Sequence, residues 1–344
     1  MNPYALSIII SSLALGTITT MSSSHWILAW MGLEINTLAI IPLMTKNPHP
    51  RSIEAATKYF LTQAAASALI LFSSIFNAWL LGEWAINNFM NPVSVIFLSI
   101  AISTKLGLAP FHFWMPDVLQ GLTLQTGWIL ATWQKLAPMT VLLQLSHSVN
   151  LTLMMAMGFL SILIGGWGGI NQNQIRKILA FSSIAHLGWM LMILKISPSL
   201  SILNFSLYII MSSTLFYTFI TVNSTNISQL ATAWTKVPAL TALSLLSLLS
   251  LSGLPPLTGF MPKWLIAQEM VKQDLTLISF TILMFTLLSL FFYLRLTYTI
   301  SLTMAPNSSL STSLWHLKKK NALTFFILLT LCLLPISPSL LCLI

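Results

Sequence analysis

The chain predicts an all-α fold, a polytopic transmembrane bundle of about eleven helices. Three observations carry that expectation. Of 344 residues, 56% are hydrophobic and only 6% charged, where a soluble domain carries about 25% charged residues. Apolar stretches of about 20 residues, the length of one bilayer crossing, recur from end to end. The connections between them are short, which leaves no soluble domain. A net charge of +9 would suggest nucleic acid in a soluble chain. Here the cations stand singly at segment ends, so they read as membrane topology and no nucleic-acid partner is expected. Residues 1–20 lack a basic leading region, and the segments after them are equally apolar, so no cleavable signal peptide is expected.

In order, the candidate spans are roughly 3–22, 26–44, 54–81, 93–115, 122–145, 151–170, 175–195, 200–222, 237–272, 275–300 and 322–343. The ninth is too long for one straight crossing. It contains Leu251 to Trp264, LSGLPPLTGFMPKW, and proline removes a donor and clashes with the preceding turn. Two half-helices with an unwound middle are expected there, broken at Gly253, Pro255 and Pro256. Segment four carries a similar break at Gly107 and Pro110, inside Ile102 to Asp117, ISTKLGLAPFHFWMPD. Ser197-Pro198-Ser199 and Ala305-Pro306-Asn307 are turn signals. Gly165 and Gly169 allow close helix packing and form no nucleotide loop, because no strand precedes them. Cys332 and Cys342 fall on one helix about 15 Å apart, beyond disulfide reach.

Alternating the connections between two sides puts Lys46, Arg51, Lys58, Arg176, Lys177, Lys236, Arg295 and Lys318 to Lys320 on one side. Only Lys195 and Lys272 reach the other. This asymmetry follows the positive-inside rule. It places the N-terminus on the cytoplasm-like side and the C-terminus opposite. The Gly-Leu-x-Pro breaks lie five segments apart, so the units containing them have opposite orientation. Residues 1–147 and 148–302 therefore read as two inverted five-helix repeats within a single transmembrane domain, each with a broken helix, followed by a C-terminal helix at about 322–343. Paired interrupted helices in inverted repeats point to an ion pathway near the bilayer midplane.

The ionisable residues inside these spans carry the functional reading. Glu34 lies near the middle of the second segment, Lys105 and Lys135 are central in the fourth and fifth, and Lys263 follows the second break. Each such charge costs about 2.5–3.5 kcal/mol to insert, on the order of 10 kcal/mol for four, so an arrangement that compensates them is the economical explanation. Attraction to Glu34 and desolvation pull a buried lysine in opposite directions, and a lysine balanced between them can load and release a proton. Bland alternatives stay open. Glu34 can be neutral and hydrogen-bonded to a neighbouring helix, Lys105 can snorkel, and a carbonyl of the unwound stretch can satisfy Lys263. His112 and His186 are secondary candidates, as proton relays or as satisfied hydrogen-bonders. Asn36, Gln63 and Gln134 suit either water or interhelical glue. Asp117 is expected to be solvated and Glu54 with Lys58 to form a structural i, i+4 pair. No metal-ligand spacing, phosphate loop, triad or haem motif is present, so no metal or cofactor site is expected.

The strings WMGLEINTLAIIPL, KLGLAPFHFWMPDVLQG, NQNQIRKILAFSSIAHLGWM and LSLSGLPPLTGFMPKW together resemble the antiporter-like membrane subunits of respiratory complex I, across essentially the whole chain. The resemblance implies a proton-translocating subunit of NADH:ubiquinone oxidoreductase in the mitochondrial inner membrane. Its N-terminus would face the matrix and its C-terminus the intermembrane space. Glu34, Lys105, Lys135 and Lys263 would then form a hydrophilic axis. The flavin (FMN), iron–sulfur clusters, NADH and ubiquinone would sit in other subunits. Bacterial relatives resemble a fourteen-helix bundle, and this chain lacks the first three, so other membrane-arm subunits, accessory subunits and phospholipids such as cardiolipin are expected partners. Two rivals remain: a subunit of a multisubunit cation/proton antiporter, and a scaffold whose charges only hold helices together.

Overall fold

The computed structural model describes residues 2–86, 91–235, 238–302 and 321–334. Lys236, the Ala305-Pro306-Asn307 turn, Lys318 to Lys320, Cys342 and the last span beyond 334 lie outside the described residues. Among the described residues all regular structure is helical except two isolated β-bridges. Among the described residues, six helices are long and apolar enough to cross a membrane unbroken: Pro3–Ser22, Trp26–Met44, Pro50–Leu81, Leu151–Ile170, Pro198–Val222 and Thr276–Leu302. The chain divides into two compact units, Met1–Ser161 and Ile162–Ile344.

The first unit holds α1 (Pro3–Ser22), α2 (Trp26–Met44), α3 (Pro50–Leu81), α4 (Pro92–Leu106), α5 (Trp114–Gly121), α6 (Leu124–Ala131), α7 (Trp133–Gln144) and the start of α8 (Leu151–Ile170). Proline opens α1, α3 and α4, where its missing N–H has no intrahelical partner to lose. Asn2, His49 and Asn91 cap those starts through their side chains. Helices α1 and α2 pack backbone to backbone: a Cβ at Gly32 would stand 2.9 Å from the Gly16 carbonyl. At 32 residues, α3 is about 48 Å long, well over a ~30 Å hydrocarbon core. Its first turns therefore project beyond that core with Arg51, Glu54 and Lys58.

The expected break of segment four is the α4–α5 junction. Gly107, at φ +75°, takes the left-handed conformation that ends a helix, and the amides of Gly107 and Leu108 bond back to Thr104 and Ser103. Segment five departs from expectation. It is not one helix over 122–145 but two, parted at Thr132. The Thr132 hydroxyl bonds to the Trp128 carbonyl at 2.7 Å, a back-bond that bends helices, and Pro138 lies six residues on. Lys135 therefore stands in the first turn of α7 and not in the middle of an unbroken span.

The second unit comprises the rest of α8, α9 (Ile175–Ile193), α10 (Pro198–Val222), α11 (Ile227–Thr232), α12 (Pro238–Ser252), α13 (Phe260–Lys272), α14 (Thr276–Leu302) and α15 (Asn321–Cys332). The short α11 has no counterpart among the expected spans. Gly165 abuts Ala185 of α9, and Gly169 abuts the Phe292 ring of α14, so these glycines set close helix contacts. Arg295 of α14 donates to the Ile170 carbonyl at 2.6 Å and caps the end of α8. The α12–α13 junction is the expected second break. Gly253 is left-handed at φ +86°, and Gly253 and Leu254 bond back to Ser250 and Leu249. The Thr258 hydroxyl ties the unwound stretch to the Thr330 carbonyl of α15 at 2.6 Å.

Each unit repeats one further detail. In the first, the residue before α2 forms an isolated bridge with the loop after α3, His25 to Ala85. In the second, the residue before α9 bridges the loop after α10, Gln174 to Asn226.

Candidate functional site

In the first unit three broken or central helices bring the predicted residues together. Lys105 occupies the last turn of α4, 5% exposed, and Lys135 the first turn of α7, 3% exposed. Both line a cavity of about 20 Å³ for the centre of a water molecule, along with Asn36, Tyr59, Gln63 and Gln134. That is room for about one ordered water, and the walls supply several polar partners for it. The Lys105 ammonium and the Gln63 amide nitrogen are buried without a hydrogen bond from protein. An ion taken from water with no partner costs several kcal/mol. Water in the cavity is therefore the natural partner of both groups. The negative end of the α4 dipole also faces Lys105 and favours a cation there.

Glu34 is the ninth residue of α2, central as expected, but it does not line the cavity. Leu33, Asn36 and Thr37 of the same helix do. The Glu34 carboxylate is near enough for its charge to act on Lys105 and Tyr59, yet it makes no direct ion pair. Its Oε2 is buried without a hydrogen-bond partner. A charge-coupled pair separated by a gap can be rearranged by a small motion or a single water.

The walls of this site are positioned by the break. The Trp114 indole donates to the Thr104 carbonyl at 3.0 Å, closing the open end of α4 beside Lys105. Tyr59 meets Trp114 edge to face, with ring centroids 5.7 Å apart. Outside the cavity, Lys58 bonds both Glu54 at 2.8 Å and Asp117 at 3.0 Å, clamping α3 to α5. Asp117 is thus half exposed and paired, not simply solvated. His112 is buried in the unwound stretch against Phe113.

In the second unit the Lys263 ammonium donates to the Ser252 carbonyl at 2.8 Å, where α12 ends. Gly253 makes room for it, since a Cβ there would stand 3.0 Å from Lys263 Nζ. His186 is buried on α9, its ring 5.5 Å from that of Tyr208 on α10. Among the described residues no group of side chains has the makings of a metal site.

Sequence reasoning passed over Tyr59, Trp114, Tyr208 and Thr132. One signal was available: the two breaks match beyond Gly-Leu-x-Pro. Met115-Pro116 and Met261-Pro262 follow Gly107 and Gly253 at the same spacing, and the next residues are Asp117 and Lys263.

The family described as NADH:quinone oxidoreductase/Mrp antiporter, TM, matches residues 23–289, and that described as NADH dehydrogenase subunit 2 C-terminus matches residues 290–341. A NADH-ubiquinone oxidoreductase chain 2 from Aquarana catesbeiana is 59% identical over 344 residues, covering 99% of each chain. Its counterpart from Xenopus laevis is 60% identical over 341 residues, covering 98% of this chain and 99% of the relative. Among solved structures, a chain of respiratory complex I from Thermus thermophilus superposes with a TM-score of 0.84 at 25% identity, over 97% of this chain and 80% of that one. A chain of the Mrp complex from Dietzia sp. DQ12-45-1b shares the fold, with a TM-score of 0.81 at 16% identity, over 88% of this chain and 61% of that one.

Proposed function

Because the chain belongs to the NADH:quinone oxidoreductase/Mrp antiporter transmembrane family, as an antiporter-like subunit of the membrane arm of respiratory complex I, we propose that its own buried acid and lysines carry protons across the membrane. The observation that carries this reading is the cavity shared by Lys105 and Lys135, with Glu34 acting on Lys105 from outside it. Electron transfer from NADH to quinone takes place on FMN and iron–sulfur clusters in other subunits, so this chain works through charge. A change of charge at one end strengthens or weakens the hold of Glu34 on Lys105. Lys105 then gives up or takes a proton, cavity water passes it between Lys105 and Lys135, and Lys263 and His186 serve the second unit.

The setting belongs to the same proposal. The chain is a multi-pass membrane protein in the mitochondrial inner membrane, with its N-terminus on the matrix side as the cation asymmetry supports. It packs against other membrane-arm and accessory subunits and against phospholipids, cardiolipin among them. The test is NADH-driven acidification by assembled complex in sealed vesicles. Lys105→Met, which keeps the length and loses the charge, slows it, while Lys105→Arg retains part of it. Full acidification with Lys105→Met overturns the proposal. An antiporter subunit would instead show sodium-dependent exchange without NADH.

A further inference from the structure

The two breaks close the end of their first half-helix with different donors. At the α12–α13 junction the Lys263 ammonium donates to the Ser252 carbonyl at 2.8 Å. At the α4–α5 junction the donor is neutral: the Trp114 indole N–H reaches the Thr104 carbonyl at 3.0 Å. The Gly107 amide donates to the same oxygen at 3.2 Å, so both lone pairs of the Thr104 carbonyl are used. The indole also lies against the turn itself, since a Cβ at Gly107 would stand 3.3 Å from its Cζ2 atom. Tyr59 of α3 meets the indole edge to face and helps to hold it there. In the second unit Phe260 follows Gly253 at the spacing at which Trp114 follows Gly107, and a phenyl ring has no N–H to offer.

Lys105 is the residue after Thr104, in the last turn of α4 and 5% exposed. A lysine in a last turn can fold back and bond the final carbonyls of its own helix. Lys105 does not. Its ammonium makes no hydrogen bond to protein, and its side chain lines the cavity that Lys135 also lines. Folding back would satisfy an ion that is costly to leave unpaired. Some group must therefore withhold the carbonyl, and the indole already covers that helix end.

We propose that Trp114 is a positioning residue for Lys105: by occupying the Thr104 carbonyl, its indole N–H keeps the ammonium from folding onto the end of α4 and leaves it free in the cavity. The indole handles no proton itself and acts only through where Lys105 rests. Lys263, held by the Ser252 carbonyl, shows the kind of bond that Lys105 is kept out of. The inference rests on the function proposed above.

The test reads NADH:quinone turnover and protons moved per electron pair in assembled complex carrying Trp114→Phe, Lys105→Met or both. Phenylalanine keeps a ring beside Tyr59 and removes the N–H. A charged hydrogen bond of ordinary strength favours the folded-back lysine by about tenfold or more, so Trp114→Phe is expected to lower coupled turnover about tenfold in a complex that still assembles. In the Lys105→Met background the same change is expected to cost less than about twofold, because no ammonium is left to capture. An equal fractional loss in both backgrounds gives Trp114 a packing role alone and overturns the proposal. Normal turnover and normal proton yield in Trp114→Phe, with Lys105→Met impaired, also overturns it and leaves the proposed function standing. Normal behaviour of both single variants overturns both. If Trp114→Phe fails to assemble, Trp114→Tyr, closer in volume and without the indole N–H, replaces it in the same two backgrounds and is judged by the same outcomes.

Discussion

Replacing Gly253 by alanine separates two costs that the structure lets one estimate. Gly253 sits at φ +86°, and an L-residue in that region costs about 1–2 kcal/mol. The new Cβ would also stand 3.0 Å from both Cδ and Nζ of Lys263, so the end of that side chain must give by a few tenths of an ångström. The shift strains its 2.8 Å bond to the Ser252 carbonyl, and hydrogen bonds to charged groups contribute about 1.5–3 kcal/mol, which bounds that loss from above. Together the change destabilises the α12–α13 junction by about 1–5 kcal/mol. Gly82 supplies the control. It ends α3 at φ +75° but nothing lies within 4 Å of its Cβ position, so Gly82→Ala carries the backbone cost alone. The assay is the thermal inactivation midpoint of solubilised, assembled complex, with assembly checked on a native gel by NADH-dye staining. Gly253→Ala should lower the midpoint clearly more than Gly82→Ala. Equal effects would refute the claim that Lys263 is seated over Gly253.

Three further outcomes follow from the same geometry. Arg295→Met removes the caps on Ile170 and Asn173 and should destabilise the assembled complex by about 2 kcal/mol in a detergent-denaturation titration. Lys58→Ala breaks a network whose side chains are 43–62% exposed, so it should leave the midpoint of the same titration little changed. The reversed pair Lys58→Asp with Asp117→Lys should recover part of that in a double-mutant cycle. Gln63→Leu takes a polar wall from the cavity while keeping its volume, and should slow NADH-driven acidification without lowering assembly on the native gel.

Much of the bundle was legible because the physics is local. The bounds of α1 and α2 match their apolar runs, and both breaks fall where glycine and proline forbid a helix. Glu34, Lys105 and Lys135 stood out because charge is scarce in such a chain. What escaped depends on distant contacts. The split at Thr132, where the hydroxyl bonds back to the Trp128 carbonyl, leaves no mark in an apolar window. Asp117 meets Lys58 across 59 positions of sequence. Tyr59 and Trp114 carry no charge to mark them in sequence, and only the fold shows them lining the same cavity as Lys105.

The central claim is that charge buried in this chain moves protons. It is tested most directly by counting protons and electrons together in assembled complex carrying Lys135→Met. A scaffold role predicts that assembly and activity fall in step. The account predicts a complex that assembles and stains for NADH oxidation but shows a lower proton yield per electron pair, slowed coupled turnover, or both. Wild-type yield at wild-type turnover in the assembled variant would contradict it.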